Sequence, residues 1–312
     1  MLDRRALIAM MLTAPVMPMA AHASTPALVA TTGMVADLAR RISGAPVQAI
    51  FGPGIDPHGH RPTRSDILAL SRGDVVFYSG LHLEAQLLDL LADMATQGRV
   101  VAVGDGVDPA LLLTDPAFNG FPDPHVWMDP MLWGKAAQIV ADTLADMAFP
   151  ADIAANTTAL LADLAALDAY ARAAIASIPT TARVLITAHD AFNYMGRAYG
   201  LEVQGIQGIS TESEAGVARI RELVDLIVAR GVPAVFVESS VSDRSVRALI
   251  EGARDAGHVV TIGGELYSDA MGPEGSYEGS YVGMIDHNVT TIARALGGTV
   301  PVAGMAGRLG TA

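Results

Sequence analysis

The sequence predicts an α/β protein of two lobes, each a mostly parallel β-sheet flanked by helices, joined by a long rigid backbone helix. Three observations predict it. Short apolar runs alternate with amphipathic segments in one series up to residue 103, and again in a second series from residue 184. Between the two series lies the longest helical stretch of the chain, rich in Ala and Leu, with Pro150 and Pro179 punctuating its ends. No Gly/Ser linker separates the halves, so a continuous helix joins them as a stiff spine.

The first 23 residues stand apart from the fold. Arg4 and Arg5 precede an apolar run from Ala6 to Ala20, and Ala21-His22-Ala23 has the small-x-small pattern of a cleavage site. That run is too short for a stable membrane span. Residues 1–23 therefore read as a signal peptide, and Arg4-Arg5 suits either a general basic n-region or a twin-arginine signal. Three parts are expected after it: an N-terminal lobe over 24–149, the linking helix over 150–179 and a C-terminal lobe over 180–312.

In the first lobe, 27–31, 47–51, 75–79 and 100–103 are predicted strands, with helices near 34–42, 64–72 and 83–96. Strand-helix-strand order implies parallel pairing through right-handed crossovers. Residues 105–124 have little periodicity and contain Phe121-Pro122-Asp123-Pro124, so they read as a loop before a helix over 131–147. The linking helix, 151–178, carries Leu160, Leu161, Leu164 and Leu167 at helical spacing. In the second lobe, strands are predicted at 184–187, 202–205, 234–237 and 259–262, with helices near 191–199, 214–230, 243–256 and 280–296. Thr211-Glu212-Ser213-Glu214 fits a capping box for the second of these helices.

Composition narrows the function. At 312 residues, 51% hydrophobic and 17% charged, the chain can bury two cores. Its net charge of −13 is spread along the chain, and no basic run could track phosphates, which excludes nucleic acid as a partner. The chain has no cysteine. It therefore offers no thiolate to a metal, no disulfide to an exported fold and no attachment point for a lipid anchor. A soluble periplasmic protein is expected.

The chemistry lies in histidines at strand ends. Asp-Pro-His occurs twice, at Asp56-Pro57-His58 and Asp123-Pro124-His125, each in a Gly/Pro-rich stretch before a helix. Proline fixes φ and drives the preceding residue to extended geometry, so each imidazole is presented from a stiffened loop. His189 follows the strand 184–187, and Asp269 follows the last predicted strand. All four occupy the same topological end of their units, where open parallel sheets place ligands. Three imidazoles and a carboxylate suit zinc, manganese or iron, whereas calcium and magnesium want mostly oxygen. Four protein ligands would close a tetrahedral site and favour binding over catalysis.

These stretches resemble a known family. Gly54-Ile55-Asp56-Pro57-His58 with Pro62-Thr63-Arg64-Ser65-Asp66, Asp123 to Pro130, His189-Asp190-Ala191-Phe192 and Leu266-Tyr267-Ser268-Asp269 are similar to motifs of the metal-binding solute-binding proteins of zinc and manganese ABC importers. The resemblance covers nearly the whole mature chain. It implies that His58, His125, His189 and Asp269 hold Zn2+ or Mn2+ as transported cargo between two lobes. It also implies delivery by a monomeric binding protein to an inner-membrane permease driven by an ATPase. Two departures leave the metal open. The loop 105–121 lacks the run of histidines common in zinc-specific members, and His189 stands where manganese and iron binders often have glutamate.

Other candidates have plainer roles. His60 is a rim residue or lies behind the ligands, and Asp56, Asp123 and Glu238 could orient the ligating rings or serve as ordinary turn residues. His82 and Glu84 begin a helix, where surface or capping roles are expected, His258 and His287 are expected in structural positions, and Trp127 and Trp133 in cores or between lobes. Gly52-Pro53-Gly54 and Gly263-Gly264 match no phosphate loop. Two other function classes remain at this point. An exported metal-dependent hydrolase lacks support from any His-Glu-x-x-His helix or nucleophile motif, and a siderophore binder would want more than 5% aromatic residues.

Overall fold

The computed structural model describes residues 25–310. The proposed signal peptide lies outside them. The first half is a four-stranded parallel sheet in the order β2-β1-β3-β4, formed by β1 (Leu28–Ala30), β2 (Val47–Ala49), β3 (Val75–Tyr78) and β4 (Arg99–Ala102). Helices α1 (Gly33–Ser43), α2 (Arg64–Ser71) and α3 (Leu88–Ala95) make the crossovers, and α4 (Pro130–Asp146) closes the unit. The chain turns back on itself between β1 and β3, which is where such sheets open a crevice.

The second half holds two parallel pairs, β5 (Val184–Thr187) with β6 (Glu202–Gly205) and β7 (Ala234–Glu238) with β8 (Thr261–Leu266). β5 and β7 lie side by side. At their C-terminal ends the Glu238 side chain, rather than a ladder bond, ties the two pairs by accepting from the His189 backbone N–H at 2.8 Å. Helices α6 (Asn193–Tyr199), α7 (Val217–Arg230), α8 (Arg244–Asp255) and α9 (Tyr281–Ala295) complete it.

Between the halves runs α5 (Ile153–Ala176), 24 residues and so about 36 Å long. It packs on α1 and α4 of the first half and on α6 and α9 of the second. Leu160, Leu164, Leu167, Ala171, Ala174 and Ile175 form its buried stripe. Leu161 falls one residue, about 100°, off that stripe and is exposed. One hydrophobic core runs continuously from Leu28 through α5 to Leu296. The spine thus belongs to both halves.

Two local expectations are corrected. Thr211-Glu212-Ser213-Glu214 is not a capping box, because α7 begins at Val217 behind Gly216 and has no side-chain cap. A capping box does form at α2, where Thr63 and Asp66 satisfy each other's backbone N–H groups. The last strand begins at Thr261 and continues through Gly263 and Gly264, so it lies further along than 259–262. A Cβ on Gly263 would come within 2.8 Å of Ala295 in α9, and one on Gly264 within 2.5 Å of Thr291. The glycines let α9 sit against the strand instead of ending it.

Candidate metal centre

The four predicted residues meet. His58, His125, His189 and Asp269 each offer one ligand atom, and these atoms lie within 4.8 Å of one another. All four side chains are buried, none more than 2% exposed. His58 comes from the loop after β2, His125 from the segment after β4, His189 from the end of β5, and Asp269 from just beyond β8. Each lies in the chain that follows the C-terminal end of a strand, two from each half.

The spacings are those of ligands around one small cation. The Nε2 atoms of His58 and His125 are 3.3 Å apart, and those of His125 and His189 are 3.4 Å apart. Asp269 places Oδ1 3.2 Å from His125 Nε2 and Oδ2 3.1 Å from His189 Nε2. A tetrahedron with metal–ligand bonds of about 2.0–2.1 Å has edges of about 3.3–3.4 Å. Both Asp269 oxygens lack a hydrogen bond of proper geometry although they face two imidazoles, so the opposed atoms point at a shared centre rather than at each other. The carboxylate presents two oxygens, giving five donor atoms where a count of residues gave four.

Carboxylates behind two of the rings fix which nitrogen is free. Asp123 Oδ1 accepts from His125 Nδ1 at 2.7 Å and from its backbone N–H at 3.0 Å. Glu238 Oε2 accepts from His189 Nδ1 at 2.5 Å. With the proton held on Nδ1, each neutral ring turns its Nε2 lone pair to the centre. Asp56 works differently, since its Oδ1 accepts from the His58 backbone N–H at 2.9 Å and so sets the loop rather than the ring.

The charges are arranged accordingly. Burial opposes protonation of His125, yet the Asp123 and Asp269 carboxylates outweigh it and push the ring up to about 9. His189 is likewise raised well above the ordinary value, by Glu238 and Asp269 against the effect of burial. Burial works against the Asp269 charge, but the two imidazoles beside it hold the carboxyl well below the usual range. His58 is lowered to about 3, chiefly by burial.

His60 lies outside this group. Its Nε2 sits 3.1 Å from Asp66 Oδ2, and its ring tilts against Phe51. Glu84, expected at the surface or in a capping role, is not at the surface: it is fully buried, accepting from Thr31 Oγ1 at 2.6 Å and the Ser79 backbone N–H at 2.7 Å. His258 and His287 each donate from Nε2 to a backbone carbonyl, that of Val232 and that of Glu265, away from the centre. Two supporting residues, Asn193 and Tyr194, escaped the sequence reading, which had Trp127 in a core or between lobes. Asn193 Nδ2 donates to Asp123 Oδ2 at 3.2 Å, and the Tyr194 hydroxyl donates to the Asp123 carbonyl at 2.8 Å. Trp127 Nε1 donates to the Ser268 carbonyl at 2.9 Å, tying the His125 segment to the Asp269 segment. No spacing rule marks these residues, because their partners lie 70 to 141 positions away.

Two parallel α/β halves on a shared helix, closed over a buried set of imidazoles and a carboxylate, define a bilobed metal-binding solute-binding protein. The chain belongs to the family described as zinc-uptake complex component A, periplasmic, whose sequence pattern matches residues 28–295. It is 46% identical over 272 residues to the manganese-binding lipoprotein MntA of Bacillus subtilis, covering 86% of this chain and 88% of that one. It is 42% identical over 284 residues to the zinc-binding protein TroA of Treponema pallidum, covering 89% and 91% respectively. The solved structure of periplasmic zinc-binding TroA from T. pallidum superposes with a TM-score of 0.84 at 40% identity, over 87% of this chain and 99% of that one. This is a family of transport components, not of enzymes, and the hydrolase alternative falls away.

Proposed function

We propose that this protein captures a divalent transition metal, zinc or manganese, at His58, His125, His189 and Asp269 and delivers it to an ABC importer. The observation that carries this reading is the convergence of four buried ligand atoms from both halves within 4.8 Å. Charge supports a dication in particular. His125 and His189 are both raised, so capture of one M2+ in exchange for two protons leaves the buried charge unchanged. Imidazole-rich coordination favours zinc by affinity, while the second Asp269 oxygen offers the higher coordination number that manganese accepts.

The partner is the inner-membrane permease of that importer, with the binding protein acting as a monomer. Export by a cleaved signal over residues 1–23 would deliver it to the periplasm. Among the described residues, no helix is long and apolar enough to cross a membrane. Because α5 packs into both halves, closure over the ion is small and release requires displacement of one half's ligands. The test is metal content after loading His189→Ala and Asp269→Ala. Both should lose the bound equivalent of zinc or manganese, and unchanged stoichiometry would refute the assignment.

A further inference from the structure

All four candidate ligands are buried, and His58 borders a cavity. His58 lines a cavity of about 350 Å3 between the halves, together with His82, Phe121, Ser210 and Glu212. One wall is stiff. Leu81 and His82 both adopt left-handed backbone, at φ 53° and 70°, in a turn held by the buried Glu84, which accepts from the Ser79 and Gly80 N–H groups. The His82 ring stacks on Phe121 at 3.9 Å and 7°. The opposite wall is the irregular segment between β6 and α7, and α7 starts without a side-chain cap. Two hydrogen bonds fasten this segment across the cleft: Thr211 Oγ1 donates to Asp56 Oδ2, and Gln86 Nε2 donates to Glu212 Oε1 at 2.8 Å.

Asp56 is therefore bound on both sides. One oxygen receives Thr211 from the second half, while the other holds the His58 backbone N–H at 2.9 Å. His58 lies in Gly52-Pro53-Gly54-Ile55-Asp56-Pro57-His58-Gly59, where Gly54 takes φ 74° and no regular ladder restrains the chain. His125 and His189 have carboxylates on their Nδ1 atoms, whereas the Asp56 carboxylate grips His58 only through its backbone. Of the three histidines, His58 is the one held by a carboxylate through its backbone and not through its ring.

We propose that the Thr211–Asp56 hydrogen bond is a latch, and that the ion enters and leaves past His58 through the cavity beside it. Thr211 is a positioning residue: breaking its bond frees the wall segment and slackens the Asp56 hold on the His58 loop together. This rests on the metal-binding reading above. A latch sets rates in both directions, so capture and release accelerate together and Kd moves less than either rate.

The test is stopped-flow kinetics on full-length mature protein, with zinc uptake followed by Trp127 fluorescence and zinc release chased by excess chelator. Trp127 suits this because its ring lies 5.2 Å from that of His125. Thr211→Val, which keeps the shape and removes the hydroxyl, should raise the release rate about tenfold, the scale of one hydrogen bond to a carboxylate. Thr211→Ser should restore wild-type rates. Gln86→Ala, at an exposed bond, should raise release about threefold. All three apoproteins should stay folded, with the melting temperature lowered by no more than about 2–4 °C. A Thr211→Val release rate within about twofold of wild type, or no rescue by serine, overturns the latch while leaving wild-type binding intact. Failure of wild type to take up zinc or manganese would instead refute the binding reading itself.

Discussion

Glu238 grips His189 twice, through the backbone N–H at 2.8 Å and through Nδ1 at 2.5 Å. The first contact sets where β5 ends relative to β7, and the second sets the tautomer of the ring. One side chain thereby converts strand packing into ligand orientation.

Replacing Glu238 by Gln separates those two roles. An amide can accept at one atom only, so if its NH2 faces Nδ1 the imidazole proton is driven to Nε2, the atom aimed at the centre. Zinc affinity should fall about 10–100-fold, the usual cost of losing a carboxylate behind a ligating histidine. Competitive titration against a chromophoric chelator reads this directly. Asp123→Asn should behave similarly through His125, since Asp123 contacts that ring in the same way.

Metal capture should release protons. At pH 7, His125 with its pKa of about 9 and the raised His189 are both protonated in the apoprotein, and both must lose a proton to bind. About two protons should therefore leave per ion, and affinity should climb with pH as these rings lose their protons. Apoprotein stability moves the other way. A histidine whose folded pKa exceeds its unfolded value near 6.5 contributes fully below 6.5, and that contribution fades as pH rises through about 9. Calorimetric titration in buffers of different ionisation heat counts the protons; a count near zero at pH 7 would contradict this charge assignment.

The spine should be tested separately from the site. Leu164 is 1% exposed within the core shared by both halves. Leu164→Ala should cost about 2–5 kcal/mol in urea unfolding, the range for a truncated core leucine. Both halves should still melt in one transition, because α5 packs against each of them. Metal stoichiometry should stay at wild type. Loss of metal without loss of stability would mean the helix acts on the centre by another route.

Much of this was readable in the sequence, for identifiable reasons. Strands recur as short apolar runs, and all eight lie at or beside the predicted positions. The Asp-Pro-His pairs, His189 and Asp269 stood out because each follows a strand in the same sense, and that shared end brings them together. Local chemistry was less legible where two patterns compete. Thr211-Glu212-Ser213-Glu214 has the letters of a capping box, but Thr211 spends its hydroxyl on Asp56, 155 positions away. Gly263-Gly264 looks like a strand end until α9 is seen pressed against it. The burial of Glu84 was not legible because nothing in its neighbours announces Thr31, its partner 53 positions away. Partners set by tertiary packing leave no local trace.

X-ray absorption at the zinc edge of the loaded wild-type protein tests the central claim most directly. Three imidazole nitrogens with one or two carboxylate oxygens at about 2.0–2.2 Å are predicted around the ion. A shell with fewer than three imidazoles, or one dominated by water, would contradict it.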